Sequence, residues 1–238
     1  MYTKPWQGMH FDAGGIEFKS NLYYDGNNQT FVAIIQPECP GLQGNFFVAQ
    51  QTVAMVSDGG TSRIWIPPNN TTPIIGTTVY DLNEGWKACS VPYTQYDIFL
   101  VAQKVSNNEC YVYTAKDGMM LNKCSFSVSK LRTLTGYNMI VGCWYDGSRI
   151  FHGTIYSVLL WKIGLDETEL ISLSNCGLCF KESKLPYYDD LIFGCIFDRL
   201  KYGDTPYDFV NDVYATKLNI STASPKWRLM LPKDVGMI

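Results

Sequence analysis

Residues 151–173 read FHGTIYSVLLWKIGLDETELISL, and this stretch decides the fold. Its first half is a run of apolar and β-branched residues that ends near Trp161, which predicts a strand over residues 150–162. Asp166 stands three residues before Glu169, a spacing typical of a capping box at the start of a helix. We therefore expect one short helix near residues 166–174. Capping and the helix dipole, rather than catalysis, explain the acidic residues there.

Strand-like runs with turn signals between them continue outward from this stretch. They cover residues 15–18, 30–36, 45–50, 62–66, 77–82, 97–105, 110–115, 119–128 and 137–145. Two Asp-Gly pairs, Asp117-Gly118 and Asp146-Gly147, supply the positive φ angles that tight turns require. Many short strands at regular spacing, with almost no helix, predict an all-β sandwich or barrel.

Length and charge limit the possible functions. The chain has 238 residues, 17% of them charged, and a formal net charge of −3, so the electrostatic footprint of a nucleic-acid-binding protein is missing. We expect a single domain over residues 1–224 and a C-terminal tail over residues 225–238. The N-terminus lacks the apolar segment of a secretory signal, and no apolar run approaches the roughly 20 residues that cross a bilayer.

The eight cysteines are expected to be mostly reduced and buried, since the sequence shows no secretory signal. Cys176 and Cys179 form a single C-x-x-C pair, to which Cys195 could add a third thiolate. A structural zinc site needs a second pair or histidine partners, and neither His10 nor His152 stands at ligand spacing from this pair. We therefore expect no metal site and no cofactor.

Residues 151–161 and 164–173 together resemble the closing signature of the laminin G-like jelly rolls, a superfamily also called concanavalin A-like. In that superfamily a strand of type F-x-G-x-I-x-x-V-x-I/L-W/Y leads into a short helix of type L-T/D-x-x-E-I/L. Residues 137–142 are similar to the preceding strand of the family, and residues 15–20 and 30–35 to its opening strands. The resemblance covers roughly residues 10–180. It implies an antiparallel β-sandwich with one short helix.

One departure from the family pattern concerns the strand that often opens these domains. Its nearest equivalent here is residues 191–197, close to the C-terminus, so the strand order looks permuted. This apolar segment must enter its own sandwich as a permuted strand or pair with a neighbouring subunit, and the first is favoured. The tail after Pro225 shows no further strand partner in the chain. We expect it to dock on another copy or on a virion protein.

Motifs of the hydrolases are absent from the sequence. Glucanases of this jelly-roll type carry a Glu-x-Asp-x-x-Glu strand, and no Glu of this chain is followed two positions on by Asp. The pair Asp189-Asp190 follows Pro186 in an expected loop, where solvated acids are common. We therefore expect no catalytic residues, and a glycoside hydrolase is the least favoured function.

Two expected loops carry the groups that hold sugars, which are aromatic faces together with amide and carboxylate hydrogen-bonding groups. Trp144 and Trp161 are assigned instead to strands and to the core. The candidate ligand-binding residues are Trp86, Tyr93, Tyr96, Asn69 and Asn70.

These features favour a non-catalytic binding or structural module. Jelly-roll modules released without a leader occur in phage particles, and the polar, weakly charged composition fits a subunit that packs against copies of itself. We expect a phage virion component, such as a head fibre, capsid decoration or tail adhesin, that forms a homo-oligomer and contacts host glycans. Its location would be the virion or an extracellular surface. The alternative is a carbohydrate-binding, lectin-like surface protein.

Overall fold

The structure, a computed structural model, describes residues 6–12, 14–38, 50–56, 62–67, 72–175, 185–197, 204–218 and 226–230. The helices of these residues are α1 (Glu167–Asn175) and a short 3₁₀ helix, Tyr188–Asp190. The strands, in chain order, are β1 (Trp6–Phe11), β2 (Gly15–Asp25), β3 (Gln29–Pro37), β4 (Gln51–Val56), β5 (Ser62–Ile66), β6 (Ile74–Asp81), β7 (Gly85–Pro92), β8 (Phe99–Ser106), β9 (Glu109–Lys116), β10 (Met119–Ser127), β11 (Thr133–Val141), β12 (Gly153–Trp161), β13 (Leu191–Ile196), β14 (Tyr207–Asp208), β15 (Val213–Tyr214), β16 (Thr216–Leu218) and β17 (Lys226–Met230).

Two large antiparallel sheets contain most of these strands. In sheet A the order is β10-β9-β8-β3-β12-β1-β17, and β13 pairs with β12 as well. In sheet B the order is β16-β2-β11-β4-β5-β6-β7, while β14 and β15 form a separate two-stranded ribbon. The antiparallel β-sandwich with one short α-helix that the sequence predicts is confirmed.

The main core lies between the inner faces of the two sheets. Along β2 buried and exposed residues alternate, so that Phe18 points into this core and Lys19 to solvent. Such alternation is expected for a strand with one wet face. β3 and β12 are buried along their whole length because both of their faces are covered. Phe31 of β3 belongs to the main core, and its neighbour Val32 to a second apolar cluster on the outer face of sheet A.

Helix α1 covers this outer face of sheet A. The predicted capping box is confirmed: the Asp166 backbone N–H donates to Glu169 Oε2 at 2.6 Å, and the Glu169 N–H donates to Asp166 Oδ1 at 2.8 Å. Leu170 and Leu173 of the helix are buried against sheet A beside Trp161. The helix therefore stabilises the sandwich through apolar packing on one side and a satisfied N-terminus on the other.

Two C-terminal segments pair within the chain. β13 lies beside β12, with Ser157 opposite Ile196, so the apolar segment predicted as a permuted or swapped strand is part of sheet A. β17 pairs with β1, with Trp6 opposite Met230. The expectation that the tail after Pro225 finds no strand partner in the chain is wrong for residues 226–230. The edge of β1 pairs with the backbone of residues 226–230, which was expected to pair with another subunit.

The cysteines do not all follow the expectation of reduced thiols. Cys89 of β7 and Cys124 of β10 form a disulfide, with Cα atoms 6.5 Å apart and a sequence separation of 35. The prediction fails for this pair because the sandwich brings the edge strands of the two sheets together, which spacing along the chain does not reveal. Free thiols are found at Cys110, Cys143 and Cys195, all buried. Cys39, Cys176 and Cys179 lie outside the described residues.

No helix among the described residues has both the length and the apolar character needed to cross a bilayer.

Candidate functional site

The outer face of sheet B carries an unusual set of side chains, beginning with β5. Ile64 and Ile66 of this strand point into the main core, so Arg63 and Trp65 between them point away from it. Arg63 pairs with Thr78 of β6, and Trp65 pairs with Gly76. Two large side chains are thereby placed on one face of neighbouring strands.

The loop between β11 and β12, residues 142–152, folds over this face. The Trp144 N–H donates to the Ser148 carbonyl at 2.7 Å, which closes the turn that Asp146-Gly147 predicts. The loop is attached to β4, because the Thr52 N–H donates to the Arg149 carbonyl at 2.8 Å. Trp144 is buried here with other apolar residues of the outer face. The sequence predicts Trp144 inside a strand and in the core; it is buried, but it lies in the loop.

Arginine and tryptophan side chains of strand and loop interleave. The guanidinium carbon of Arg63 lies 4.6 Å from the ring centroid of Trp65 and 4.6 Å from that of Trp144. The guanidinium carbon of Arg149 lies 4.3 Å from the Trp144 ring centroid. These distances are those of cation–π contacts. We call Trp65, Arg63, Trp144 and Arg149 the cation–aromatic stack.

The charge of this stack is not balanced. Arg63 is only 5% exposed, and burial together with the nearby Arg149 lowers the pKa of Arg63 from 12.5 to about 10. Arg63 Nε donates to Thr78 Oγ1 at 3.3 Å, whereas Nη1 is buried and has no hydrogen-bond partner among the described residues. Among the described residues no carboxylate lies within 4.0 Å of either arginine. Buried charges are ordinarily paired, so Arg63 is an exception that needs an explanation.

Exposed aromatic rings continue the same face beyond the stack. Trp86 of β7 is 54% exposed and packs edge-on against Tyr80 of β6, with ring centroids 5.2 Å apart. On the loop, Tyr145 is 50% exposed and lies 5.3 Å from the Trp144 ring. We call the cation–aromatic stack together with Tyr80, Trp86 and Tyr145 the sheet-B face.

The structure separates the residues that the sequence grouped as a candidate site. Trp86 lies on the sheet-B face, but in strand β7 rather than in a loop. Tyr93 packs in the main core, with its ring 5.5 Å from that of Phe99. Tyr96 is exposed in a turn beyond the far end of β7, where its carbonyl accepts a hydrogen bond from Gln36 Nε2 at 2.8 Å. Asn69 and Asn70 lie outside the described residues.

Trp86 and Tyr96 are therefore not neighbours. The seven residues of extended strand from Trp86 to Pro92 span about 20 Å, and Tyr96 lies beyond them. The missed strand explains the error, because GWKACSVP is an edge strand whose residues 86, 88 and 90 face solvent. Its less exposed positions include Gly85 and Lys87 and its exposed positions include Trp86, so apolar and polar residues do not alternate with the period of two that predicts a half-buried strand.

The carboxylate of Asp81, next to Trp86, has a structural role. Asp81 is buried at the end of β6, and its carboxylate accepts hydrogen bonds from the backbone N–H groups of Asn83 at 2.8 Å and Glu84 at 3.2 Å. Ser129 donates its hydroxyl to Asp81 as well, at 2.7 Å. Burial opposes ionisation of Asp81, but the hydrogen bonds from Ser129 and Asn83 hold its pKa below the usual value. Asp81 thus joins two loops and has no free oxygen to offer a ligand.

The four residues of the stack were missed by sequence reasoning. One signal was present: the alternation of Ser62–Ile66 puts Arg63 and Trp65 on the face opposite Ile64 and Ile66. The contact between Arg63 and Trp144 had no local signal. Within the described residues, no group of three or more His, Cys, Asp or Glu side chains is arranged to hold a metal ion.

Comparisons with known proteins give the fold class. No protein-family model and no curated protein matches the chain. Its structure is similar to that of a protein from Bacteroides ovatus ATCC 8483 named for a proposed carbohydrate-binding role, with a TM-score of 0.65 and 14% identity. That match covers 95% of this chain and 60% of the other, so the chain spans about three fifths of the length of that protein.

Two further solved structures are similar. One is the CBM40 domain of the Ruminococcus gnavus IT-sialidase, bound to α2,3-sialyllactose, with a TM-score of 0.51 and 16% identity over 71% of this chain and 97% of that one. The other is the enzymatically active domain of tailspike protein 2 from bacteriophage CBA120, with a TM-score of 0.53 and 12% identity over 84% of this chain and 34% of that one. At these identities the likeness shows the fold alone. The chain therefore has an antiparallel β-sandwich fold similar to that of these domains.

Proposed function

We propose that this chain is a non-catalytic glycan-binding module and that the sheet-B face is its binding site. The observation that carries the proposal is the cation–aromatic stack, which lies beside two exposed aromatic rings, Trp86 and Tyr145. Flat aromatic rings pack against the apolar faces of sugars, and guanidinium groups donate hydrogen bonds to their oxygens. Both kinds of group are present on the sheet-B face.

The dimensions of the face fit more than one sugar ring. Trp86 lies opposite Tyr80, and Arg63 lies opposite Thr78, two residues further along the same strand of sheet B. Residues two apart on a strand are about 7 Å from each other on one face. Tyr145 adds a further exposed ring against Trp144, so we propose that the face accommodates an oligosaccharide.

The similar proteins are consistent with this assignment. One is named for a proposed carbohydrate-binding role, and another is a sialidase domain crystallised with sialyllactose. Their ligands are properties of those proteins, and the sheet-B face is what supports a glycan ligand here.

The pattern and positions of the acidic residues support a binding role without catalysis. The glucanase strand motif is missing from the sequence. In the paired acids, Asp189 is exposed on the 3₁₀ helix and Asp190 Oδ1 lies 3.5 Å from Lys162 Nζ, an ordinary surface ion pair. Because one similar structure is named as an enzymatically active domain, the binding assay includes chromatography of each bound glycan for hydrolysis products.

The biological setting we propose is a phage virion, where the chain would form a homo-oligomer and present its glycan site to the host. The likeness to a phage tailspike over 84% of this chain supports this setting. A disulfide between the edge strands suits a protein that works outside a reducing cytoplasm. Multi-angle light scattering of the full chain is expected to give a molar mass of at least twice the 26.9 kDa of one chain. A monomer in solution, and no trace of the chain in purified particles by mass spectrometry, would contradict it.

The glycan site is tested by ring removal. A glycan microarray with the full chain identifies the ligand, and calorimetry then compares Trp86→Ala and Tyr145→Ala with the unmodified protein. Each variant is expected to lose about five- to tenfold in affinity, because one stacking surface is removed. Tyr188→Ala, which removes an exposed tyrosine on the sheet A side of the molecule, is the matched control and should bind normally. Unchanged affinity of both test variants would remove the sheet-B face as the site.

A further inference from the structure

The ligand class of the sheet-B face follows from its charge. We infer that the face binds an acidic saccharide whose carboxylate is received by the exposed Arg149, with the buried charge of Arg63 lying behind it. This inference rests on the proposed glycan-binding function and adds the chemical class of the sugar.

The first argument is the unpaired charge of Arg63. Its guanidinium lies over two tryptophan rings and is 5% exposed, and its buried Nη1 has no partner in the part of the chain that the structure describes. Cation–π contacts offset part of the desolvation cost of such a cation, but they provide no hydrogen-bond acceptor. A ligand anion would supply the missing negative charge.

The second argument is the second cation. Arg149 is exposed and lies over the same Trp144 ring, so two positive charges share one aromatic side chain. Like charges at close range repel each other, and the repulsion is relieved when an anion binds between or beside them. Hydrogen bonds from Ser148, with a smaller contribution from the positive charge of Arg149, hold the pKa of the loop carboxylate Asp146 below its usual value. Asp146 therefore offsets the charge of Arg149 only in part, because its Oδ1 accepts the backbone N–H of Ser148 at 2.8 Å and it forms no ion pair with Arg149 within 4.0 Å.

The third argument is the fixed position of Arg149. Its backbone has a φ of 51°, and its carbonyl accepts the hydrogen bond from Thr52 of β4. Backbone in the left-handed region persists only where the surrounding structure holds it. The loop therefore holds the Arg149 side chain over Trp144 before any ligand arrives, which lowers the entropy lost on binding.

A planar guanidinium matches a planar carboxylate through two parallel N–H···O bonds, and aromatic rings beside it accept the body of a sugar. A sulfate ester is the rival anionic group on saccharides. A purely structural stack, in which the cations only fasten the loop to β5, is the rival explanation without a ligand. The experiment below separates these three.

The test uses the full chain and ligands that differ only in charge. Calorimetry compares methyl glucuronide and methyl N-acetylneuraminide with their neutral carboxamide analogues, and includes galactose 6-sulfate. At least one carboxylate is expected to bind about tenfold or more tightly than its carboxamide, because charge-assisted hydrogen bonds are lost in the neutral analogue. Arg149→Gln should remove that preference, and Arg149→Lys should restore part of it.

Arg132→Gln is the matched control, since it removes one positive charge at the opposite end of the sandwich, beside the turn at Gly26. Its carboxylate preference should equal that of the unmodified chain. Equal binding of carboxylates and carboxamides, or an unchanged preference in Arg149→Gln, would overturn the inference and leave a neutral glycan site standing. Tight binding of the sulfate alone would overturn the assignment to carboxylates. Absence of any sugar binding on the microarray would instead refute the proposed function itself.

Discussion

The outer face of sheet A is covered by helix α1 and residues 185–190, whereas the outer face of sheet B is covered by the loop between β11 and β12. The cover of sheet A contributes leucines, which pack against Trp161 of β12, and all of these side chains are buried. The cover of sheet B contributes Trp144 and Arg149, and Trp144 lies against Arg63 of β5. Both covers bury a sheet face, but they differ in the polar groups that they leave without partners.

Under the cover of sheet A, several polar groups are satisfied. Trp161 Nε1 donates to the Pro186 carbonyl at 2.8 Å, and Thr30 Oγ1 donates to the Ile163 carbonyl at 2.8 Å while accepting from the Leu165 N–H at 2.7 Å. One hydroxyl there, Ser157 Oγ of β12 opposite Ile34 and Ile196, is buried without a partner among the described residues. Next to the cover of sheet B, three such groups are found among the described residues: Arg63 Nη1, Trp65 Nε1 and Thr52 Oγ1.

Unsatisfied buried groups cost stability, so a face that keeps several of them is shaped by something other than folding. On the proposed function, the first cover serves the fold and the second serves a ligand. Four experiments test this contrast.

Truncation of the side chain on which the sheet A cover packs should have the largest effect. Trp161→Ala removes a fully buried indole, and we expect the free energy of unfolding to fall by about 3–5 kcal/mol. Urea denaturation followed by circular dichroism measures it. Glycan affinity of the folded fraction should be unchanged, because Trp161 lies on the other sheet. A loss below about 1 kcal/mol would mean that this cover adds little to the fold.

Removal of the disulfide should cost somewhat less. The bond between Cys89 and Cys124 closes a loop with a sequence separation of 35, and Cys89→Ser with Cys124→Ser should lower stability by about 2–4 kcal/mol. Dithiothreitol should destabilise the unmodified chain by a similar amount and leave the double variant unaffected. An equal response of both proteins would show that the two edge strands are not joined in solution.

Loss of the helix cap in the sheet A cover is a smaller change. Asp166→Ala removes the acceptor for the Glu169 N–H, and we expect a loss of about 1 kcal/mol in thermal or urea unfolding. The control is Asp189→Ala, an exposed carboxylate outside the capping box, which should change stability by less than about 0.5 kcal/mol. Equal effects of the two substitutions would argue against a structural role for the cap.

Replacement of the buried cation beneath the sheet B cover should have the smallest effect on stability. Arg63→Met keeps an unbranched side chain between the two indoles and removes the desolvated charge, while the cation–π contacts are lost. These effects oppose each other, so the free energy of unfolding should stay within about 1 kcal/mol of the unmodified value. Preference for a carboxylated sugar should fall about tenfold. A large loss of stability together with unchanged sugar binding would reverse the roles of the two covers.

Local chemistry made much of the sheet A cover predictable. Asp166 and Glu169 identify the start of α1 from the sequence, because both hydrogen bonds of the capping box form within four residues of chain. The Asp117-Gly118 turn between β9 and β10 is likewise readable, since both residues adopt positive φ angles of 51° and 74°. β7 was not predictable in this way, because an exposed edge strand has no apolar period to detect.

The sequence by itself determined the fold class, the helix with its cap and the tight Asp-Gly turn, because the interactions that specify these features act between residues close together in the chain. Only the tertiary structure decided that Cys89 meets Cys124, that residues 226–230 extend sheet A, and that Arg63 lies against Trp144. Each of these contacts joins residues distant in sequence and depends on strand order and on which strands form the sheet edges. Such placement is settled by the packing of two whole sheets, which leaves no mark on any single stretch of sequence.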